Sequence, residues 1–315
     1  MGGPMGRYRR PATIRRPWLI ALSGLAAAGL LWLLFTGPLQ PVVVYLRLTA
    51  GIDSYRAGRA GPQGMAVPCP GAAALTVLVI GQSNAANHVD RPSTAPPGRN
   101  VMLAGEDCYP LADPVAGATG REGSLWPVFA EDLARRIGRP IAILDGAVGS
   151  TAIESWSSRW GIAPAGLDRR IREADRAGHE IGLVIWIQGE SDNTRGTSQT
   201  AYAEGLNRVV ARIDALTGET PWLVTTTSLT RGSKFSPAVR AAQQQVIMAS
   251  PRIFPGTDTD LFDRTPEDRH DGIHFSRAAA DIIARDLAEK AADILGEAGR
   301  SSTPGSTHQL MPTAG

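Results

Sequence analysis

The alternation of short apolar runs with longer amphipathic stretches over residues 74–297 is the strongest constraint on the fold. Short apolar runs bounded by turn residues are typical of buried strands, and stretches with a 3.6-residue apolar period are typical of helices. Strands that alternate with helices indicate an α/β domain with a mainly parallel sheet. The predicted strands are Leu75–Ile80, Asn100–Leu103, Ile141–Leu144, Leu183–Ile187 and Trp222–Thr226. The predicted helices are Pro127–Ile137, Leu167–Ala177, Gln199–Leu216, Pro237–Met248 and Ser276–Leu295.

An uncharged run, Trp18–Phe35, precedes this domain. At about 1.5 Å per residue it reaches roughly 27 Å, close to the thickness of the hydrocarbon core of a bilayer. Five arginines and no acidic residue stand before it, which favours a cytoplasmic amino terminus. We therefore expect a single-pass membrane protein: residues 1–17 form a cytoplasmic Arg-rich segment, 18–36 a transmembrane signal anchor, and the remainder is periplasmic or extracellular. A cleaved signal peptide has the same charge order and is the alternative.

The segments that flank the domain are rich in glycine, proline and small residues. Residues 37–73 are predicted to be a juxtamembrane stalk and 298–315 a disordered tail. Subtracting the five arginines from the formal net charge of +2 leaves −3 from Trp18 onward, and a slightly acidic domain argues against nucleic-acid binding. Cys69 and Cys108 follow the anchor, so we expect a disulfide in an oxidising compartment, with two unpaired thiols as the alternative.

Two motifs carry a possible nucleophile and its base. The motif GQSNA follows the first strand and places Ser83 on a strand-to-helix turn, where its hydroxyl could attack an ester and its N–H could bind an oxyanion. In DGIHFS, Asp271 and His274 have the spacing with which a carboxylate orients an imidazole. Glu267 and His270 have the same spacing and form a rival pair.

Two further motifs follow other predicted strands. In AVGSTAIESW, Gly149 could bring a backbone N–H close to an oxyanion, because no side chain blocks the approach. In WIQGESD, Gln188 could donate a second hydrogen bond from its amide. Each residue alone is equally well explained as a turn or a strand-end cap. Because the carboxyl ends of parallel strands meet at one edge of a sheet, the set together indicates a single site.

These motifs occur in the order and approximate spacing of the SGNH hydrolase superfamily. The chain resembles its sialic-acid-specific acetylesterase-like carbohydrate esterases over residues 75–295. The resemblance implies a three-layer α/β/α sandwich with a mainly parallel, flavodoxin-like, five-stranded sheet. It also implies hydrolysis of O-acetyl esters on sugars by a serine, without a metal or other cofactor.

Carried over to this chain, the resemblance makes Ser83 the nucleophile, His274 the general base and Asp271 its orienting carboxylate. The N–H groups of Ser83 and Gly149 and the amide of Gln188 would form the oxyanion hole. Four further residues are expected either to support the site from behind or to contact the sugar, namely Gln82, Asn84, Trp156 and Glu190.

Other interpretations remain open from the sequence. An α/β-hydrolase has the same order of triad residues but needs several strands before its serine, and only one precedes Ser83. The stretch His270–His274 mimics a metal-binding pair, although Gly272 weakens a helix there. The same acyl-enzyme could transfer its acetyl group to a sugar hydroxyl, as an O-acetyltransferase does, or the domain could bind carbohydrate without turnover. The sequence leaves the oligomeric state open.

Overall fold

The computed structural model describes residues 59–161, 163–164, 166–232 and 235–301, together with Trp32, Leu39, Val42, Val43 and Leu46. The chain divides into two compact units, 1–44 and 45–315, and the second contains the whole sheet. In the part of the chain that the structure describes, no helix is long and apolar enough to cross a bilayer. The predicted cytoplasmic segment, nearly all of the predicted anchor and the tail beyond residue 301 lie outside the described residues.

One seven-stranded sheet forms the centre of the domain. Its strands are β1 Leu75–Gly81, β2 Val101–Ala104, β3 Asp107–Pro110, β4 Ile141–Asp145, β5 Ile181–Ile187, β6 Trp222–Thr226 and β7 Ile253–Asp258. They lie in the order β3-β2-β4-β1-β5-β6-β7, and every neighbouring pair is parallel except the edge hairpin of β2 and β3. The strands β4-β1-β5-β6-β7 have the 2-1-3-4-5 order of flavodoxin-like folds.

The prediction of five strands is therefore wrong, because it misses β3 and β7. Strand β7 contains Pro255 and Gly256, two residue types that are depleted in strands, and it pairs only with β6 at the sheet edge. Strand β3 ends at Pro110 and, among the strands of the sheet, pairs with β2 alone. A proline cannot donate to a ladder and is tolerated at an edge, so neither strand has the continuous apolar pattern that identifies the central ones.

The five predicted helices are present. In chain order, the helices among the described residues are α1 Trp126–Ile137, α2 Ile153–Ser157, α3 Leu167–Arg176, α4 Glu190–Arg195, α5 Gln199–Thr217, α6 Pro237–Met248 and α7 Arg277–Ser301. Short 3-10 turns cover Gly71–Ala73, Ser83–Ala85 and Thr259–Leu261. Ser198 and Ser236 are the N-caps of α5 and α6, and their side chains accept backbone N–H groups of the first turn. Gly138, which has a φ of 70°, is the C-cap of α1.

Helices cover both faces of the sheet, which confirms the predicted three-layer α/β/α sandwich. Strand β1 is buried along its whole length, and its successive side chains point to opposite faces. Val77 and Val79 pack with the apolar residues of α1 and α7, whereas Leu78 and Ile80 pack with those of α2, α3, α5 and α6. The sheet therefore lies between two apolar cores, and the carboxyl ends of its strands meet at one polar edge.

Part of the predicted stalk packs on this domain. The Arg59 guanidinium is buried and donates to the carbonyl oxygens of Gly117, Gly146 and Ala163. Farther along, Cys69 is joined by a disulfide to Cys108 of β3. The packed domain thus includes residues that the sequence places in the stalk.

Candidate active site

Ser83 lies on a tight turn at the carboxyl end of β1. The strand ends at Gly81, which has a φ of 141° and where a Cβ would lie only 2.0 Å from the Ile187 carbonyl oxygen, so only glycine fits. The next N–H, that of Gln82, donates to the same carbonyl at 2.9 Å. Ser83 then begins the 3-10 turn and is 6% exposed. Among the described residues neither its hydroxyl nor its backbone N–H has a hydrogen-bond partner, so both groups are available to a substrate.

The predicted base and its orienting carboxylate are in contact. His274 Nδ1 lies 2.9 Å from Asp271 Oδ2, while Asp271 Oδ1 accepts the N–H groups of Ile273 and His274 at 2.9 and 2.8 Å. Partial burial acts to raise the pKa of Asp271, but these hydrogen bonds outweigh it and hold the pKa well below the ordinary value. Asp271 is therefore an ionised acceptor that leaves Nε2 of His274 as the basic nitrogen.

The rival pair is not formed. Glu267 is exposed, and His270 Nε2 faces the backbone oxygen of His88 at 3.3 Å. No hydrogen bond joins Ser83 Oγ to His274 in the described part of the chain. Catalytic hydrogen bonds often tighten only when substrate binds.

Asn84 connects the serine turn to the loop that carries the base. Its amide nitrogen donates to the Glu190 carboxylate and, at 3.1 Å, to the backbone oxygen of Ile273, while its oxygen accepts the Phe275 N–H at 3.3 Å. Both Asn84 and Glu190 are buried, and burial raises the pKa of Glu190. These two predicted residues therefore act as supports inside the protein.

Gly149 lies beside Ser83, as the sequence predicts, but its N–H is already engaged. It donates to Thr119 Oγ1 at 2.7 Å. A Cβ on Gly149 would lie 3.3 Å from Thr119 Oγ1, 3.4 Å from His88 Nε2 and 3.7 Å from Ser83 Cβ. A methyl group at this position would therefore contact the side chain of the nucleophile, and the N–H of Gly149 already has an acceptor within the protein.

The assignment of Gln188 to the oxyanion hole is contradicted by the structure. The side chain is fully buried, and its Nε2 is 2.6 Å from Asp192 Oδ2 and 2.9 Å from the Thr151 carbonyl oxygen. Its Oε1 accepts the Tyr202 hydroxyl at 2.8 Å. Acceptors inside the protein take both N–H bonds, because helices α4 and α5 and the loop after β4 surround the amide. Gln188 is therefore a structural group behind the site.

Gln82 and Trp156 are also internal supports. Gln82 is 3% exposed, and its side-chain oxygen accepts the Ser191 N–H at 3.1 Å. Trp156 is 1% exposed and donates from its indole nitrogen to Thr151 Oγ1 at 2.9 Å, with its ring against Trp186. Neither side chain reaches a space that a sugar could occupy, so of the two predicted roles the structure selects support.

His88 is a site residue that the sequence does not single out. Its ring stacks on that of His274 with centroids 5.0 Å apart. Burial and the neighbouring His274 lower the pKa of His88 to about 4. Its Nε2 is buried and has no hydrogen-bond partner among the described residues. The only sequence signal was its place five positions after Ser83.

Three side chains of the loop that carries the base lie close enough to hold a metal ion, namely His270, Asp271 and His274, with ligand atoms within 4.8 Å of one another. Both oxygens of Asp271, however, already accept hydrogen bonds from its own loop, one of them from the His274 ring. This arrangement favours the orienting role of the carboxylate.

The chain is similar to known carbohydrate esterases. A family model described as "carbohydrate esterase, sialic acid-specific acetylesterase" matches residues 75–293. Among solved structures, a protein of Arabidopsis thaliana has a TM-score of 0.56 and 19% identity, covering 70% of this chain and 98% of its own. No curated protein sequence matches this chain significantly.

Two further solved structures bear informative descriptions. A carbohydrate acetylesterase from Xanthomonas citri has 17% identity and a TM-score of 0.47, covering 70% of this chain and 57% of its own. A family two carbohydrate esterase from Cellvibrio japonicus has 18% identity and a TM-score of 0.47, covering 73% of this chain and 64% of its own. This chain therefore spans less than two thirds of either enzyme.

Proposed function

The chain belongs to the carbohydrate esterase family of sialic acid-specific acetylesterases and is a carboxylic ester hydrolase, and we propose that it removes O-acetyl groups from sugars, sialic acids among them, through an acyl-enzyme on Ser83. One observation carries this proposal: His274 Nδ1 lies 2.9 Å from Asp271 Oδ2 at the end of the sheet where Ser83 follows β1, with its hydroxyl and N–H unpartnered among the described residues. A nucleophile, a base and an orienting carboxylate are the groups that ester hydrolysis without a metal requires.

In the first half of the proposed reaction Ser83 Oγ attacks the acetyl carbon while His274 Nε2 takes the hydroxyl proton. The carbonyl oxygen becomes an oxyanion beside the free N–H of Ser83. When this intermediate collapses, the bond from the acetyl carbon to the sugar oxygen breaks and the leaving oxygen takes the proton from His274. The products of this half are the free sugar hydroxyl and acetyl-Ser83.

In the second half water attacks the acetyl carbon of acetyl-Ser83, and His274 Nε2 takes a proton from that water. The bond to Ser83 Oγ then breaks, the serine oxygen regains the proton, and acetate leaves. Asp271 accepts a hydrogen bond from Nδ1 throughout and stabilises the imidazolium that forms twice in the cycle. Because its pKa is held low, this carboxylate stays ionised at neutral pH.

The reaction is tested by measuring acetate release from O-acetylated sialic acids and other acetylated glycans with the full chain. We expect Ser83→Ala to reduce kcat/KM by at least about 10⁴-fold. Ser250→Ala is the matched control, since Ser250 precedes the amino end of β7, whereas Ser83 follows the carboxyl end of β1. Full activity of Ser83→Ala would contradict the proposal. Accumulation of an acetylated acceptor sugar in place of acetate would instead support an O-acetyltransferase.

We also propose that residues 18–36 anchor the chain and that the esterase domain lies outside the cytoplasm. The five arginines before the apolar run support this orientation, and the Cys69–Cys108 disulfide fits an oxidising compartment. Protease added to intact spheroplasts that express the full chain should digest the domain. Digestion only after lysis would contradict the orientation, and a soluble mature form that lacks residues 1–36 would contradict the anchor.

A further inference from the structure

His88 lies near the nucleophile, with Gly149 between the two side chains. The position of a Cβ on Gly149 is 3.4 Å from His88 Nε2, 3.7 Å from Ser83 Cβ and 3.3 Å from Thr119 Oγ1. His88 Nε2 and Ser83 Cβ are therefore at most about 7 Å apart. Because the oxygen of an acyl group on Ser83 lies two bonds beyond the serine oxygen, it can come within hydrogen-bond reach of His88 Nε2.

Among the described residues, few hydrogen-bond donors near Ser83 lack an acceptor. The Ser83 N–H has no partner among the described residues, but the Gly149 N–H donates to Thr119 and both N–H bonds of Gln188 Nε2 are used inside the protein. Acyl-transfer sites stabilise the developing charge with more than one donor aimed at the oxyanion. Two polar atoms near Gly149 still have a hydrogen to donate in the described part of the chain: the Thr119 hydroxyl, which accepts the Gly149 N–H, and a protonated His88 Nε2, which is buried and unpartnered. Of the two, only His88 also stacks on the base.

We propose that the Nε2–H of His88 donates a hydrogen bond to the oxyanion and so supplies the donor that Gln188 does not provide. The inference rests on the proposed esterase reaction, because the oxyanion forms only in that chemistry. Burial and His274 lower the pKa of His88 to about 4, with His270 acting in the same sense and Asp271 in the opposite one. The ring is therefore neutral at pH 7 and has a single N–H, which we place on Nε2. A neutral donor at His88 leaves the role of base to His274.

A structural role of the ring makes a different prediction. His88 also stacks on His274, and a flat apolar ring would preserve that contact without a donor. The informative variants are therefore His88→Phe, which keeps a ring, His88→Gln, whose amide nitrogen reaches about as far as Nε2, and His88→Asn, whose shorter amide reaches only about as far as Nδ1.

The experiment measures kcat and KM for acetate release together with the thermal midpoint of each full-length variant. We expect His88→Phe and His88→Asn to lose about 10²–10³-fold in kcat with little change in KM, and His88→Gln to stay within about tenfold of the wild type. A His88→Phe protein within tenfold of the wild type would overturn the proposal. If His88→Phe does not fold, equal losses in His88→Gln and His88→Asn would overturn it.

Ser83→Ala separates this inference from the proposed function. If Ser83→Ala matches the wild type on every acetyl ester, the esterase mechanism itself fails. If Ser83→Ala is inactive while all three His88 variants are active, the esterase mechanism stands and only the role of His88 fails.

Discussion

Two polar clusters at neighbouring strand ends differ in how many of their hydrogen bonds are made inside the protein. The amide cluster lies behind β5 and contains Gln82, Gln188, Asp192, Tyr202 and Gln243. Each of its side chains contacts at least one other member, and all are buried. The serine cluster lies in front of β1 and contains Ser83, His88, Gly149, Asp271 and His274. There the Ser83 hydroxyl and N–H and His88 Nε2 have no partner among the described residues.

This difference distinguishes polar groups that stabilise the fold from polar groups that are available for binding or catalysis. A buried polar group that bonds inside the protein stabilises the fold, whereas one left without a partner costs about 1–3 kcal/mol unless something else binds it. The donors of the amide cluster bond to acceptors inside the protein, among them the backbone oxygens of Thr151 after β4 and Gln188 after β5. The donors that the serine cluster leaves unpartnered among the described residues are those that we propose a substrate uses. In the sequence the two clusters look alike, because both contain polar residues that follow apolar strands.

Among the changes that compare the two clusters, Asp271→Asn should have the largest effect on catalysis. The amide of an asparagine can still accept the N–H groups of Ile273 and His274 from one oxygen, but its NH₂ cannot accept a hydrogen bond from Nδ1 of His274. The wrong imidazole tautomer should lower kcat by about 10³–10⁴-fold, with the thermal midpoint changed by only a few degrees. His270→Gln is the matched control. A larger loss in His270→Gln would move the base to His270.

Gln188→Leu should act mainly on stability. It leaves Asp192, the Thr151 carbonyl oxygen and the Tyr202 hydroxyl without the partner that the amide provides. We expect the free energy of unfolding in urea to fall by about 2–4 kcal/mol, while kcat/KM of the folded protein changes less than about tenfold.

The exposed amide Gln245 provides the control, because Gln245→Leu removes the same group from the surface of α6. Surface changes of this kind cost less than about 0.5 kcal/mol. A hundredfold loss of kcat in Gln188→Leu at unchanged stability would return Gln188 to the oxyanion hole.

Gly149→Ala and Gly189→Ala compare the two clusters at the level of single methyl groups. On Gly149 the methyl would fill the space beside Ser83, with contacts no shorter than 3.3 Å, so kcat/KM should fall about 10–100-fold with less than about 1 kcal/mol lost in stability. On Gly189 it would lie 1.8 Å from the Thr227 carbonyl oxygen, and we expect a loss of about 3 kcal/mol or more. Similar melting temperatures for the two variants would contradict the comparison.

Asp145→Asn should have the smallest effect, a change in how stability depends on pH. It tests a buried carboxylate oxygen that has no partner among the described residues and lies outside the serine cluster. Asp145 is fully buried at the end of β4, its Oδ2 has no partner among the described residues, and burial raises its pKa to about 7. Because the pKa is higher in the folded than in the unfolded state, the contribution of this carboxyl to stability is present below about pH 4 and lost as the pH rises towards 7.

Between pH 5 and 8 the thermal midpoint of the variant should therefore fall less than that of the wild type, with a difference of a few degrees. Asp107→Asn, which removes an exposed carboxylate from β3, controls for the loss of one negative charge. An unchanged pH profile in Asp145→Asn would contradict the raised pKa.

The motifs of the serine cluster could be predicted because each is local. A strand that ends in glycine and serine, and an aspartate three residues before a histidine, place their groups through short-range geometry. The pairing of Asp271 with His274 needs only one loop. The five long helices follow from the same kind of local pattern, and so do the central strands.

The role of Gln188 could not be predicted, because it depends on partners far along the chain. Tyr202 from α5 and Gln243 from α6 reach the end of β5 only after those helices have packed on the sheet. The place of His88 could not be predicted either. It lies close to Gly149 and His274, which are about 60 and 185 positions away in the sequence. Strand β7 was missed because edge strands tolerate proline and glycine.

The sequence by itself determined the α/β architecture, the order of the four motifs and the residues from which a triad can form, since periodicity, turn residues and short spacings act within a few positions. Only the tertiary structure decided which polar groups make their hydrogen bonds inside the protein and which are left available to a substrate. The physical reason is that hydrogen-bond satisfaction is a property of the packed surroundings. The amide of Gln188 faced inward to three partners, and the imidazole of His88 was left beside the serine.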